Sequence, residues 1–546
     1  MRIALAQINC HIGNFANNAS VIRSQIASAK QAGAQLVVFP ELAVCGYPPM
    51  DLLDSEDFIH KCEATINQLA EACHGITAII GCPSRNTSLK GKNLFNSAFV
   101  IRDGKVTDVV HKTLLPTYDV FDEYRYFEPN SEFNFIHIDG LKVALTICED
   151  LWNEEDDPMY KFSPLEKSDS ESFDLIINIA ASPFDYAHRE KRLAILSRNA
   201  KKFKSPVVYV NHVGAQNDLI FDGGSMVISA EGGLTHESAY FSPALDIIDF
   251  PIDSKKTSPS TDSKYERIRK ALVCGIRDYF EKCGFNDAVL GLSGGVDSAL
   301  VAALATEALG PKRVHPVLMP SGFSSEHSIK DAIELCDHLG LSHSIIPIQD
   351  VFESFLKATE KSFEGKPFDI AEENIQSRTR GTILMAIANK HRYVLLNTSN
   401  KSELAVGYGT LYGDMAGGLS VIGDLYKTEV YALCEHINES KLIIPHNILS
   451  KVPSAELRPN QKDSDSLPEY EILDKILFHH IEERLGITDI VLKGFDEPTV
   501  AKTIRLVFSS EFKRFQFAPV LRVSIKAFGT GRRMPLVAKY QYSNGR

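Results

Sequence analysis

From Arg2 to about Ile252 the chain alternates short runs of β-branched and aliphatic residues with longer stretches whose apolar positions fall at helical spacing. This is the rhythm of a layered α/β domain. The segments RIALAQIN, QLVVFP, ITAIIGC, NSAFVI, KVALTIC, LIINIA and PVVYVN read as strands. In NSAFVIRDGKVTDVVHK two alternating runs flank Asp103-Gly104, which predicts a tight hairpin and therefore a mixed sheet. Two stacked mixed sheets flanked by helices suit this pattern.

Residues 253–263, DSKKTSPSTDS, hold no apolar side chain and predict a linker between one domain at 1–252 and another at 264–546. Beyond it, KYERIRKALVCGIRDYFEKCG has the apolar spacing of a helix, and DAVLGLSGGVDSALVAALATEALG reads as strand, glycine turn and helix. RVHPVLMP, the amphipathic SSEHSIKDAIELCDHLG, HSIIPI and RYVLLNTSN continue the alternation, as expected of a doubly wound parallel sheet with right-handed crossovers. The glycine-rich stretch Val406–Gly423 reads as a mobile loop and PNQKDSDSLPEY as an exposed one.

Composition narrows the class. At 546 residues the chain has room for several domains, and 44% hydrophobic with 23% charged residues is the make-up of a globular protein. A net charge of -12 argues against broad binding to nucleic acid or an anionic membrane, while leaving room for a nucleotide in a local pocket. Ten scattered cysteines without a CxxC pair indicate neither a zinc ribbon nor a disulfide scaffold, and they fit a reducing cytoplasm. The amino end lacks the apolar run of a signal peptide, and no apolar stretch approaches a membrane span, so a soluble cytoplasmic protein is expected.

In the first half, LVVFPEL, DVVHKTLLP and VALTICEDLW each put a reactive side chain, Glu41, Lys112 or Cys148, just after an apolar strand, where it can face a pocket. Alone, each is as readily a buried structural residue or a surface charge. At Cys148 the adjoining Glu149-Asp150-Leu151-Trp152 reads as a first helical turn whose N–H groups favour thiolate, whereas its carboxylates oppose it. Lys112 can supply the missing cation and stabilise an oxyanion, and Glu41 can carry the proton from thiol to departing amine. Amide cleavage is the natural reaction of such a set.

In the second half, GLSGGVDSA at 291–299 joins a strand to a helix, and its paired glycines let backbone amides turn around an anion. It lacks the GK[ST] ending of a Walker loop. Ser293 and Ser298 add hydroxyl donors, and Asp297 suits a divalent cation.

The three flanking contexts of the first half, with INIAASPF further on, resemble the signatures of the nitrilase superfamily of carbon–nitrogen hydrolases over about the first 250 residues. This implies an α-β-β-α sandwich with Glu41, Lys112 and Cys148 catalytic. The string SGGVDS resembles the loop of ATP pyrophosphatases, which release pyrophosphate after attack on the α-phosphate. With NIQSRTRGTILM, LLNTSNKSELAVGYGTLYGDMAGG, GDLYKTEVY and KVPSAEL it is similar to the NAD synthetases over residues 264–546. The fusion of the two halves resembles the architecture of the glutamine-dependent NAD synthetases.

That resemblance implies glutamine hydrolysis to glutamate and ammonia at Cys148. It also implies ATP- and Mg²⁺-dependent adenylation of the nicotinate carboxylate of deamido-NAD, with ammonia, taken from glutamine or supplied free, then displacing AMP to give NAD⁺. Activation must come first, because a carboxylate is anionic and lacks a good leaving group. Carried over by position, Tyr118, Ser182 and His188 contact glutamine, and Glu123 is a supporting carboxylate. His188 falls where members often carry lysine, and an imidazole is a poorer permanent cation. Ser293, Gly294, Gly295, Val296, Asp297, Ser298, Thr398, Lys427 and Ser454 match ATP contacts. Asn374, Arg378, Glu403, Asp414 and Lys513 match positions near deamido-NAD, and Asp297 with Glu403 match the Mg²⁺ ligands. Lys513, in EFKRFQFAP, equally suits a subunit contact. The resemblance also implies a homo-oligomer.

Two rival readings stay open. An amidase or N-carbamoyl hydrolase carrying an unrelated ATP-using domain would hydrolyse amides regardless of deamido-NAD. A nucleotide sensor with degenerate sites would require losses in the triad or the loop, and the sequence has none.

Overall fold

The computed structural model describes residues 1–88, 90–153, 158–168, 172–253, 257, 260–459 and 461–538. The chain divides into two compact units, Met1–Asp262 and Ser263–Arg546. Of the expected linker, residues 254–256 and 258–259 lie outside the described residues.

The first unit runs β1 (Arg2–Gln7), α1 (Phe15–Gln31), β2 (Leu36–Val38), α2 (Glu56–Ala70), β3 (Thr77–Arg85), β4 (Leu94–Arg102) and β5 (Lys105–His111). It continues through β6 (Ile136–Ile138), β7 (Leu141–Ile147), β8 (Leu175–Ala180), α3 (His188–Phe203) and β9 (Val207–Asn211). Beyond the segments read as strands above come β10 (Val213–Gln216), β11 (Leu219–Asp222), β12 (Met226–Ile228), β13 (Leu234–Glu237) and β14 (Ala244–Asp249).

These strands form two mixed six-stranded sheets, ordered β14-β1-β2-β3-β4-β5 and β13-β12-β9-β8-β7-β6. Strand alternation explains how they stack. Ile3, Leu5, Leu36, Val38 and Ile79 face Val143, Leu145, Ile147 and Ile177 of the other sheet in one core. Ala4, Ala6, Val37 and Ile80 point the other way, onto α1 and α2 through Ile22, Ile26, Ile59 and Ile66. Ser55 caps α2 by accepting from Phe58 N at 3.4 Å. With α3 packed on β9 and β12, the layers are α-β-β-α. The Asp103-Gly104 hairpin forms as expected: Arg102 pairs with Lys105, and both turn residues have positive φ, +46° and +79°.

The second unit runs α4 (Lys264–Cys283), β15 (Ala288–Gly291), α5 (Val296–Leu309), β16 (Val314–Leu318), α6 (Glu326–Leu339), β17 (Ser344–Ile345), α7 (Gln349–Phe363), α8 (Ile370–His391) and β18 (Val394–Asn397). It continues with α9 (Lys401–Val406), β19 (Leu419–Ser420), α10 (Lys427–Asn438), α11 (His446–Ser450), α12 (Tyr470–Ile481), α13 (Ile487–Leu492), α14 (Glu497–Ser509) and α15 (Glu511–Arg514). The sheet is wholly parallel in the order β17-β16-β15-β18-β19. The winding reverses between β15 and β18, so the carboxyl ends of those strands open a crevice at Gly291 and Asn397.

One expectation is overturned and another is qualified. Val406–Gly423 contains β19 and is closely packed: a Cβ on Gly413 or Gly417 would meet Ser377 or Asn397 at 2.3 and 2.8 Å. Asn397 Nδ2 donates to Asp414 O and Ala416 O at 2.8 and 3.2 Å, so the glycines serve close approach here and not mobility. The segment read as an exposed loop is one for the most part, with Pro459, Lys462, Ser464, Asp465, Ser466 and Glu469 exposed, but it is pinned by buried Leu467 and Asp463, the latter accepting from Tyr408 and Tyr470 hydroxyls at 3.2 and 3.0 Å. Residue 460, in the same segment, lies outside the described residues. All ten cysteines are free thiols. Among the described residues no helix is long and apolar enough to cross a membrane.

Candidate active sites

The strand ends of the first unit bring Glu41, Lys112 and Cys148 together. Cys148 directly succeeds β7 with φ of +42°, a left-handed corner that turns the thiol out of the strand direction. The chain then makes a single 3₁₀ turn, Cys148–Leu151, shorter than the helix read from the sequence, so little dipole is available to favour thiolate. Asp150 fixes this turn, accepting from Ile147 N, Thr113 N and Leu114 N at 2.9, 3.0 and 2.9 Å. One carboxylate therefore ties the corner of Cys148 to the segment just after Lys112.

Lys112 and Glu41 are 0% exposed, with Lys112 Nζ 2.7 Å from Glu41 Oε1 and 2.8 Å from Glu123 Oε1. Asn96 Nδ2 donates to Glu41 Oε1 at 2.7 Å, Ala181 N to Glu41 Oε2 at 3.0 Å, and Tyr47 OH to Glu123 Oε1 at 2.9 Å. Burial alone would lower the pKa of Lys112, but Glu123 and Glu41 more than offset it and hold the ammonium charged. Glu123 is pushed up to about 6 by burial against the pull of Lys112. Burial, then Glu41, drives the Cys148 thiol well above its ordinary value, with Lys112 opposing. The resting nucleophile is thus a neutral thiol that needs a base.

Beside Cys148 stands a carboxylate that sequence reading treated only as a repulsive neighbour. Glu149 is buried and accepts from Tyr118 OH at 2.9 Å and Tyr160 OH at 3.1 Å, and burial raises its pKa. Ser182 Oγ lies 2.8 Å from His188 Nε2, and the imidazole stacks on Trp152 with ring centres 5.0 Å apart. His188 Nδ1 stands 3.5 Å from Asp185 Oδ2. Asn96, Tyr47, Glu149 and Tyr160 were missed; an asparagine inside the apolar run NSAFVI was the one visible signal.

In the second unit a cavity of about 300 Å³ opens at the crevice beside β15 and β18. Ser293, Gly295, Val296, Asp297, Ser298, Thr398, Glu403, Asp414, Lys427 and Ser454 line it. Gly294, φ +80°, lies behind them: a Cβ there would come within 2.2 Å of Ser328 O. Ser298 Oγ accepts from Ser293 N at 3.3 Å and holds the loop closed over the start of α5.

Asp297 is gripped by Asn400 Nδ2 at 2.9 Å and by Lys427 Nζ, which stands 3.7 Å from Glu403 Oε1. Burial, then the neighbouring Asp297, raises Glu403 to about 8, with Lys427 opposing. Two hard carboxylates crowded at a cavity wall are a donor set that fits Mg²⁺ completed by substrate phosphates. Among the described residues no group of three or more His, Cys, Asp or Glu side chains is arranged to hold a metal by itself.

Asn374, Arg378, Asp414 and Lys513 gather around the turn at 407–414. Thr410 Oγ1 donates to Asn374 Oδ1 at 2.6 Å, and Arg378 Nε to Leu411 O at 3.2 Å. Lys513 Nζ donates to Gly407 O and Gly409 O at 2.8 and 2.7 Å. Asp414 accepts from Thr410 N at 2.6 Å and alone of the four also lines the cavity.

Two family models match the chain: carbon-nitrogen hydrolase over residues 2–254 and NAD synthase over residues 268–517. The chain is 45% identical to the glutamine-dependent NAD(+) synthetase of Synechocystis sp., covering 98% of this chain and 99% of that protein. It is 39% identical to the Thermotoga maritima protein of the same name, with 99% of each chain covered. Among solved structures it is similar to the glutamine-dependent NAD+ synthetase of Acinetobacter baumannii in complex with adenosine diphosphate, at 38% identity and TM-score 0.78, with 98% of each chain covered.

Proposed function

This chain belongs to the glutamine-dependent NAD(+) synthetases, and from that premise we propose how its residues divide the work. The reaction itself is the family's: ammonia from glutamine hydrolysis amidates deamido-NAD through an ATP-formed acyl adenylate, giving NAD⁺, AMP, pyrophosphate and glutamate.

In the first unit Glu41 takes the Cys148 proton, and the thiolate adds to the side-chain carbonyl of glutamine. Lys112 stabilises the oxyanion, and Glu41 returns the proton to the departing ammonia. Water, deprotonated by Glu41, then cleaves the thioester to glutamate and regenerates the thiol. Glu123 keeps Lys112 charged and aimed. Tyr118, Ser182 and His188 hold the glutamine, the imidazole by hydrogen bond and, when protonated, by charge.

In the second unit the Ser293–Ser298 loop, Thr398, Lys427 and Ser454 hold ATP. Asn374, Arg378, Glu403, Asp414 and Lys513 hold deamido-NAD with its carboxylate toward the α-phosphate. Asp297 and Glu403 would hold Mg²⁺, which when bound supplies charge neutralisation for the phosphates. Lys427 offsets the negative charge of both carboxylates and of the nucleotide. A boundary within residues 253–263, a cytoplasmic location and a homo-oligomeric assembly complete the proposal; sedimentation of the purified chain tests the last.

The observation that carries this reading is the fully buried Lys112 held between Glu41 and Glu123 beside a neutral Cys148 thiol, in one chain with an SGGVDS-lined cavity. The test is NAD⁺ formation from ATP, Mg²⁺ and deamido-NAD with either glutamine or ammonium. Cys148→Ala is expected to abolish the glutamine-driven rate and keep most of the ammonium-driven one. Equal loss of both would make Cys148 structural.

A further inference from the structure

Three cations line the cavity of the second unit: Arg380, Lys427 and Lys451. Two have carboxylate partners, since Lys427 pairs with Asp297 and Lys451 with Glu456, the latter at 2.7 Å. Arg380, on α8, has none at ion-pair distance among the described residues. Its Nε donates to Met319 O at 3.1 Å and its Nη2 to Ser321 Oγ at 3.3 Å. Both partners are neutral, and they anchor one edge of the guanidinium to the segment that leaves β16 beside the SGGVDS loop. Burial holds the group below the usual arginine range, at about 10, despite the more distant charges of Glu456 and Asp414. A partly desolvated guanidinium fixed along one edge and lacking a counter-ion is costly unless an anion arrives to pair with it.

We propose that Arg380 is a nucleotide-binding residue that contacts an anionic phosphate oxygen of ATP during adenylation, a role that rests on the function proposed above. Several features point to phosphate as the anion. The same cavity is lined by the SGGVDS loop, and the neighbouring α6 N-terminus already gathers anion-type donors. There Ser325 Oγ, Ser328 Oγ and Lys451 Nζ converge on the Glu456 carboxylate at 3.0, 2.8 and 2.7 Å. The Arg380 fork adds the planar donor geometry that phosphate oxygens accept in pairs. The carboxylates of Glu456 and Asp414, which line the same cavity, act on it only from beyond ion-pair distance.

The experiment compares wild type with Arg380→Gln for binding of adenosine and of a non-hydrolysable ATP analogue with Mg²⁺, by calorimetry. A thermal denaturation profile matching that of wild type serves as the check that the second unit is folded. The expected result is an ATP-analogue Kd raised about 10- to 100-fold, the scale of one lost charged hydrogen-bond pair, with adenosine binding unchanged. Equal loss of adenosine and analogue, or no loss of either, overturns the assignment, as does a change confined to the KM of deamido-NAD. Should the glutamine variant fail to fold, Arg380→Lys decides. A lysine keeps the charge without the fork and should weaken the analogue alone by about 10-fold, whereas unchanged analogue binding overturns the proposal. Wild type that binds ATP yet makes no NAD⁺ from either nitrogen source would sink the functional reading instead.

Discussion

Each unit buries a lysine beside two carboxylates, and the two arrangements differ in how fully the carboxylates are satisfied. In the first unit Glu123 accepts from Lys112, Tyr47 and Asn96, and Glu41 from Lys112, Asn96 and Ala181 N. In the second, Lys427 leans to Asp297 and stands 3.7 Å from Glu403, beyond hydrogen-bond distance, while Glu403 accepts from Asn400 N at 3.2 Å. Burial raises both, and the lysine opposes it in each: Glu123 is pushed up to about 6 and Glu403, beside Asp297, to about 8. A network saturated by its own donors suits chemistry on a neutral substrate, in which protons move between fixed groups. A network left short of positive charge suits a site that works only when a cation and a polyphosphate enter together.

The comparison breaks most sharply at Lys112. Lys112→Met leaves two buried carboxylates without their cation and should cost about 3–5 kcal/mol of stability, read as a lowered denaturation midpoint, together with all measurable glutaminase activity. Retention of glutamine hydrolysis would show that the oxyanion is held elsewhere. Asp297→Asn should abolish NAD⁺ formation with glutamine and ammonium alike while glutamine hydrolysis persists; a defect limited to glutamine would place Asp297 outside the adenylation site.

Glu403 sharpens the contrast through pH. Its folded pKa, about 8, lies above the unfolded value of about 4.3, so the folded chain binds the proton more tightly. Its contribution is therefore fully present below about pH 4 and is lost as pH rises toward 8. Glu403→Gln, which cannot ionise, should melt progressively higher than wild type between pH 5 and pH 8 in the absence of ligands, by several degrees at the upper end, and be inactive in synthesis. A melting difference that does not change with pH contradicts the crowded-carboxylate picture. The smallest effect belongs to Tyr118→Phe. Glu149 keeps the Tyr160 hydroxyl, so glutamine-driven kcat/KM should fall only about 3- to 10-fold, with the ammonium-driven rate untouched.

Legibility tracks sequence distance. The Asp103-Gly104 hairpin, the strand–loop–helix at Gly291–Val296 and the strand ends carrying Glu41, Lys112 and Cys148 are local patterns, and local patterns survive in the sequence. Tyr47 and Glu123 are 76 positions apart, Asn96 and Glu41 are 55 apart, and no periodicity announces such pairs. Glycines misled the reading of Val406–Gly423, because the freedom that makes a loop mobile also lets backbone pack at close range.

The sequence by itself determined which segments become strands and helices, which residues carry reactive groups, and the loop that turns backbone amides toward an anion. These depend on alternation, spacing and turn chemistry within a few residues. Only the tertiary structure decided the state of those groups: a neutral Cys148, a charged Lys112, a crowded Glu403 and an Arg380 with no carboxylate at ion-pair distance among the described residues. Protonation and pairing depend on burial and on charges brought together from distant parts of the chain, and those distances exist only once each unit has folded.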